Sequence, residues 1–454
     1  MSVRRRFMTM ALPLSLACAL LASTVGAIAP NGPFERVAYV VALGAVLATL
    51  ITSGLQLPGG AGSALVIFAF AAVGLIGLPA RLLTMEPSLA EPEVDVALSL
   101  AFWVAALGAV GLGASLVGRR NSSPVRAVTA LAPAARFVVV TAVSIGGLAI
   151  ILVSAGGPAQ FLGSLDRTGE TTAGLTFAVV MVLAAKFAAL ARLHSRWAGG
   201  AAGVTRADIA WLIAALVLIA LLGSRLLLLV ACSQVAILAL LHDKVSRRRL
   251  PFACALVLLV VGVGVGYGEL RRWQATPRVV SLVTFLRDEG LPRLPRTIVN
   301  QYADAIKLSD TAMRVVPDQV GFEGGRGLLR VIVHPIPSQI RPQVGRADAV
   351  DRSFTASATT GNALPVPVEG WLQAGTAGVL FLSALFGVLL GWSDRLARGK
   401  HSSAVAFAAA CGAASLLMMF RGSLPQGTTL AALDIAGLYA VHRLVIRSAP
   451  EPAA

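Results

Sequence analysis

The chain has 454 residues, 56% of them hydrophobic and only 13% charged, with a mean hydropathy of +0.79. Soluble globular domains carry about 25% charged residues, so this composition excludes an ordinary water-soluble domain and makes the bilayer the expected solvent. The formal charge of +16 would suit a nucleic-acid binder, but the basic residues are scattered over short connections between apolar runs, so no nucleic-acid partner is expected.

At the N-terminus, Arg4 to Arg6 precede an apolar stretch and the small residues Val25-Gly26-Ala27-Ile28-Ala29, the format of a secretory signal. Further apolar runs follow at once, so the segment is expected to stay in place as a first span. Along the chain, hydropathy marks spans centred near Leu16, Gly44, Ala71, Ala106, Gly146, Val180, Ala215, Ser233, Leu259, Leu382, Ala410 and Gly437. Runs such as 96–117, 137–155 and 171–190 reach the roughly 20 residues that a helix needs to cross about 30 Å of hydrocarbon. The expected architecture is an all-α integral membrane protein of about twelve transmembrane helices. Residues 1–268 hold spans one to nine, 269–370 an extracytoplasmic loop, and 371–454 spans ten to twelve.

An even number of spans places both termini on one side. The connections on that side carry Arg119, Arg120, Arg126 and Arg136; Arg192, Arg196 and Arg206; Lys244 and Arg247 to Arg249; and Arg395, Arg398 and Lys400, besides Arg4 to Arg6, Arg443 and Arg447. The short loops opposite carry only Arg36, Arg81, Arg167, Arg225 and Arg421. Cytoplasmic loops of membrane proteins are enriched in Lys and Arg, so both termini are expected in the cytoplasm. Cys18, Cys232, Cys254 and Cys411 all fall inside apolar runs, where small packing roles are expected rather than a disulfide or a metal site. The glycine-rich stretch 261–268 lacks the Lys-Ser/Thr tail of a phosphate-binding loop, and its glycines suit close helix packing instead.

The segment 269–369 lacks any run long enough to span. Its charges nearly balance, as in a folded, solvated element. Within it, Ile298, Tyr302, Ile306 and Met313 recur near one helical face, with Asn300, Asp304, Lys307 and Asp310 elsewhere. This pattern predicts an amphipathic helix, lying on the membrane surface or on the loop's own core. Gly321 to Gly325 reads as a flexible turn, and 353–362 as a small, polar, mobile segment.

Polar side chains at the edge of hydrocarbon are costly unless solvated or paired, and several therefore stand out. Gly223-Ser224-Arg225 forms a tight hairpin between two apolar runs, holding a guanidinium at the membrane face, where it can bind phosphate bidentately or contact lipid headgroups. His334 heads His334-Pro335-Ile336-Pro337-Ser338-Gln339-Ile340-Arg341-Pro342, whose prolines stiffen an extended backbone between His334 and Arg341. His334 is a catalytic or ligand candidate, or a plain surface histidine. His194, His242, His401 and His442 sit at cytoplasmic span ends. Glu369 opens the tenth span, either as an acceptor of a sugar hydroxyl proton or as a helix cap. Asp434 lies inside the twelfth span, where Arg421 or Arg225 is an expected partner. Lys186, in the sixth span, is expected to snorkel to the cytoplasmic surface.

An external Gly-Ser-Arg hairpin, a long late loop, a Pro-x-Pro segment and a carboxylate before a glycine-studded span occur in this order. The carrying residues are Gly223, Ser224 and Arg225; Pro335, Pro337, Ile340, Arg341 and Pro342; and Glu369 with Gly375-Thr376-Ala377-Gly378-Val379. Over about residues 221–392 the chain thus resembles the oligosaccharide repeat-unit polymerases, the O-antigen polymerase family of bacterial envelopes. Where relatives often carry Pro-Arg or a lysine after the proline segment, this chain has Pro337-Ser338 and Gln343-Val344.

The resemblance implies a metal-independent, cofactor-free glycosyltransferase in the bacterial cytoplasmic membrane. It would move a growing glycan from undecaprenyl diphosphate to the next lipid-linked repeat unit, with a chain-length regulator as a further partner. Arg225 and Arg341 would then stabilise the diphosphate leaving group, and Glu369 or His334 would act as base. Arg421 and Asp434 complete the expected substrate-binding set.

Two rival readings stand beside it. An O-antigen ligase would show a His followed shortly by Asn in the loop, whereas His334 precedes Pro335 and the loop asparagines are Asn300 and Asn362. A transporter or flippase would show paired repeats, interrupted helices and midplane polar residues. The spans look nearly devoid of these outside Asp434 and Lys186.

Overall fold

The computed structural model describes residues 96–117, 130–131, 134–157, 176–198, 204–222, 225–242, 308–318, 320–334, 336, 364–398, 402–421 and 424–447. In chain order they form α1 (Val96–Val117), β1 (Ala130–Leu131), α2 (Ala134–Ser154), α3 (Thr176–Ala198), α4 (Arg206–Leu221), α5 (Arg225–Leu241), α6 (Arg326–Val333), α7 (Val366–Arg398), α8 (Ser403–Ser415), α9 (Leu417–Arg421), α10 (Leu424–Val445) and β2 (Ile446–Arg447). A further helical segment covers 308–315. The described chain is all-α apart from one short antiparallel pairing of β1 with β2, Ala130 opposite Arg447. Eight of the twelve expected span centres fall in described residues, and each lies within a helix. Those near Leu16, Gly44, Ala71 and Leu259 lie outside them.

Among the described residues, α2 from Arg136, α3 from Phe177, and α7 are long and apolar enough to cross a membrane. Beyond its first turn α4 carries no charged side chain, and α5 is apolar over Leu226–Ala239 apart from Ser233 and Gln234. Ile209, Ile213 and Val217 of α4 are exposed at four-residue spacing, and Val138, Val139, Ile145 and Val153 of α2 are exposed as well. Such faces are unfavourable in water, and lipid accepts them. This is the construction of a helical membrane protein.

The chain divides into two compact units. In the first, α1 packs on α7 through glycines that allow the backbones to touch. A Cβ added at Gly113 would stand 2.1 Å from the Ala384 carbonyl oxygen, and one at Gly387 2.1 Å from that of Val110. Without a hydrophobic force between helices in lipid, close backbone approach is what drives such pairing. Buried Trp103 donates from Nε1 to Ser309 Oγ at 3.2 Å, and Trp371 donates to the Val316 carbonyl at 3.0 Å. Phe102 meets both indoles edge-on. These contacts fasten 308–316 to α1 and α7.

The helix expected across this region has a different inward face from the one predicted. Leu308, Ser309, Asp310, Ala312 and Val315 are buried, while Met313 is half-buried. Asp310 accepts from Arg314 one turn on, which lets a carboxylate occupy a buried position. The other members of the predicted stripe lie outside the described residues.

In the second unit α2 packs along α3, α4 joins α3, and α5 packs on α8. Thr205 and Asp208 form a reciprocal capping box at the start of α4, satisfying two amide donors that a helix start leaves open. Asp208 also pairs with Arg192 at 2.7 Å and Arg196 at 3.3 Å from the last turns of α3. Two arginines that the sequence assigns to a cytoplasmic connection thus pin one helix end to the next.

Gly387 supplies a direct check. Its replacement by Leu should push α1 from α7 and destabilise by about 1–3 kcal/mol or more, the usual range of overpacking. Gly111→Ala, where a Cβ meets nothing within 4 Å, should leave the melting temperature in detergent unchanged.

Candidate functional site

Glu369 and Gln373 are four residues apart, so they share one face of the first two turns of α7. These turns are not continuous with the rest. The backbone leaves helical geometry at Ala374 and Gly375, where Gly375 takes φ +60°, a conformation that favours glycine. In an unbroken helix Gly370 and Gly378 would be separated by about 12 Å. Instead a Cβ at Gly378 would lie 2.0 Å from the Gly370 carbonyl oxygen, so the two pieces fold against each other. The helix is therefore interrupted near its start, while the residues from 376 on keep the single apolar run expected around Leu382.

The fold-back aims the 366–373 piece at α6 and the turn before it. Glu323 and Gly324 donate their backbone N–H groups to the carbonyls of Leu372 and Gln373 at 2.8 and 3.1 Å. Gln373 Oε1 accepts from the N–H groups of Gly325 and Gly327, both at 3.0 Å, and its Nε2 donates to Glu323 Oε2 at 2.6 Å. Phe322 packs on Gly375. The turn 321–325, expected to be flexible, is thereby held on both sides of its backbone.

Arg330 lies at the centre. Its guanidinium forks onto Glu323 at 3.2 and 2.5 Å, a bidentate arrangement that fixes orientation. The same Nη2 stands 3.7 Å from Glu369 Oε2. Glu369 is 1% exposed, so one cation serves two carboxylates in a nearly dry setting. Glu323 binds both Arg330 and Gln373, and Glu369 shares the same guanidinium at longer range.

His334 ends α6, its N–H donating to the Arg330 carbonyl at 2.9 Å. Its Nδ1 is 3.0 Å from Thr429 Oγ1, and that hydroxyl donates its own proton to the Pro425 carbonyl at 3.0 Å. The Thr429 hydroxyl thus bridges the imidazole and the α10 backbone. His334 and Glu369 thus both connect to Arg330, one through the backbone and one through the guanidinium.

Of the remaining predicted site residues, only Asp434 has a described side chain. Asp434 is in the second unit, where its Oδ1 accepts from Lys186 Nζ at 2.5 Å and its Oδ2 from Gln234 Nε2 and Ser415 Oγ, both at 2.7 Å. Its ion-pair partner is Lys186, not Arg421 or Arg225. Lys186 itself, 1% exposed, does not snorkel, because a buried carboxylate lies within its reach. Arg225 opens α5 and Arg421 closes α9, and only their backbones are described. Arg341, Gly223, Ser224, Pro335, Pro337, Ile340 and Pro342 lie outside the described residues, as do His401 and 353–362.

Glu323, Arg330 and Gln373 were not singled out from the sequence, although the Glu369/Gln373 spacing signals a shared polar face. Among the described residues no group of three or more His, Cys, Asp or Glu side chains is arranged to hold a metal ion. Comparison of the chain with protein-family models, with curated proteins and with solved structures gives no match.

Removing Arg330 separates the roles of the carboxylates. Arg330→Gln leaves two buried acids without their cation and should cost about 3–5 kcal/mol. Glu369→Gln keeps the Glu323–Arg330 fork and should cost about 1 kcal/mol or less. Denaturation of the purified protein in detergent reads both, and equal losses would show that Glu369 is as structural as Glu323.

Proposed function

We propose that the protein polymerises undecaprenyl-diphosphate-linked oligosaccharide repeat units by glycosyl transfer at the outer face of the bacterial cytoplasmic membrane. Twelve spans, cytoplasmic termini and an extracytoplasmic 269–370 loop belong to this reading. The observation that carries it is the buried Glu369, held by Arg330 at the fold-back of α7, within the segment that resembles the O-antigen polymerases. Glu369 takes the proton of the acceptor hydroxyl, with the His334 imidazole as the second base. The resemblance gives Arg225 and Arg341 the role of contacting the lipid diphosphate, which gains charge as the glycosidic bond to it breaks.

A transporter or flippase is the second reading, and two observations favour it. The break in α7 and the buried Lys186–Asp434 pair are an interrupted helix and an intramembrane charge, features common in secondary transporters.

A strain lacking the protein, examined for glycan length together with its lipid-linked pool, tests the proposal. Expected are single repeat units on the carrier or final acceptor and loss of long chains, restored by the wild-type protein but not by Glu369→Gln at equal abundance. Long polymer stranded on undecaprenyl diphosphate would identify a ligase instead. Unchanged surface glycan would leave the transporter reading in possession.

Arg225 has its own check. Arg225→Ala should lower polymer output at least tenfold at normal protein levels, since one lost charge-assisted contact to a developing oxyanion is worth roughly 2.7–4 kcal/mol. Full output from this variant overturns its role.

A further inference from the structure

The second unit contains a pattern that the proposed function does not use. Lys186, Leu190 and His194 follow at four-residue intervals on α3; Gln234, Leu238 and His242 do so on α5 and its last turn; and Asp434, Leu438 and His442 do so on α10. Contacts join equivalent members. Asp434 binds Lys186 and Gln234, while His194 Nδ1 lies 2.9 Å from His242 Nε2 and its ring 5.6 Å from that of His442. The three helices must therefore run in the same direction, with two polar layers about 12 Å apart.

Helix α8 runs the opposite way through the same layers. Ser415 donates to Asp434, and Phe407, eight residues earlier, stacks between His194 and His442 at 5.2 and 4.9 Å. Between the polar layers, Leu190, Leu238 and Leu438 are each fully buried, as is Cys411 of α8. The order along the bundle is thus ion pair, leucine layer, histidine layer.

Three polar atoms in these layers are buried with no hydrogen-bond partner: Gln234 Oε1, His194 Nε2 and His442 Nε2. A merely structural pin closes its hydrogen bonds, because each orphan in a dry interior costs free energy. Two imidazoles with an open nitrogen, stacked on the approach to a carboxylate and an ammonium, suit transfer of a proton. The charged groups that act on the layers are Lys186 and Asp434 on each other, the three histidines on one another, and Arg443 on His442. Arg192 and Arg196 are ion-paired to Asp208 at the same end of α3.

We propose that the second unit is a gated proton site: Asp434 and Lys186 bind the proton, the histidine layer relays it, and the leucine layer is the gate. A proton from water at the histidine end adds to one imidazole nitrogen while the opposite nitrogen gives up its own. When the leucines part, that proton adds to the Asp434 carboxylate. The product is a neutral acid beside Lys186, which stays cationic over the Phe187 ring, 4.6 Å from its centroid. Release from that acid toward the face opposite the histidines completes the passage, and no oxidant, metal or nucleotide takes part. The inference stands whether the first unit polymerises glycan or not.

The test is proton flux into vesicles that hold the purified full-length protein and an internal pH dye, with potassium and valinomycin to clamp the voltage. Opening the gate with Leu190→Ala and Leu238→Ala should raise flux at least tenfold over wild type. Adding Lys186→Met and Asp434→Asn, a neutral pair of similar volume, should return it to the level of empty vesicles. Flux that stays at that level in the leucine variant, or persists once the pair is neutral, overturns the proposal.

Infrared spectra of the wild-type protein provide a measurement that needs no gate variant. Acidification should produce a protonated-carboxyl band that reverses on return to neutral pH and is lost in the neutral-pair variant. Absence of that band in the wild type also overturns the site.

Discussion

The Asp434 carboxylate is the constraint on which the second unit depends. A carboxylate inside a membrane helix is tolerated only when its charge and lone pairs are met from nearby. Here an ammonium, an amide and a hydroxyl meet it from three other helices. Rotating any one of α3, α5, α8 or α10 by a residue would strand a polar group in an apolar interior. One acid therefore fixes the rotational register of four helices, which dispersion between Leu and Ala side chains alone would leave far less defined.

The first unit applies the same logic to Arg330. Its fork onto Glu323 ties α6 to the preceding turn, and Glu369 and Gln373 bring in the start of α7. Polar contacts provide the specificity in each unit, and close glycine and alanine packing provides the adhesion. That division of labour is expected where the surroundings are as apolar as the core.

Much of the helical plan was legible because crossing hydrocarbon requires a minimum length and near-absence of charge. That is a local property, and so the runs around Ala106, Gly146, Val180, Ala215, Ser233, Leu382, Ala410 and Gly437 could be placed by hydropathy. The partners of Asp434 were not legible, since the sequence separations to Lys186 and Gln234 are 248 and 200 residues, and nothing local encodes such pairings. Lys186 was read as a snorkelling side chain because its position along the span is visible in the sequence and its neighbours are not. The interruption of α7 was obscured for a related reason: Gly375 lies in a run rich in small residues, where most glycines serve packing. The spacing of Lys186, Gln234 and Asp434 from a histidine eight residues later was visible throughout, but it acquires meaning only once the three helices are seen to be parallel.

The turn 321–325 also bears on how α7 is stabilised. The last carbonyls of the short 366–373 helix receive their hydrogen bonds from Glu323 and Gly324, residues synthesised about fifty positions earlier. Until that turn docks, these carbonyls are exposed, and a hydrocarbon environment charges several kcal/mol for each one. The opening of α7 therefore lacks a closed set of backbone hydrogen bonds of its own. Its stability in an apolar setting depends on a turn about fifty residues upstream, so the two segments stand or fall together.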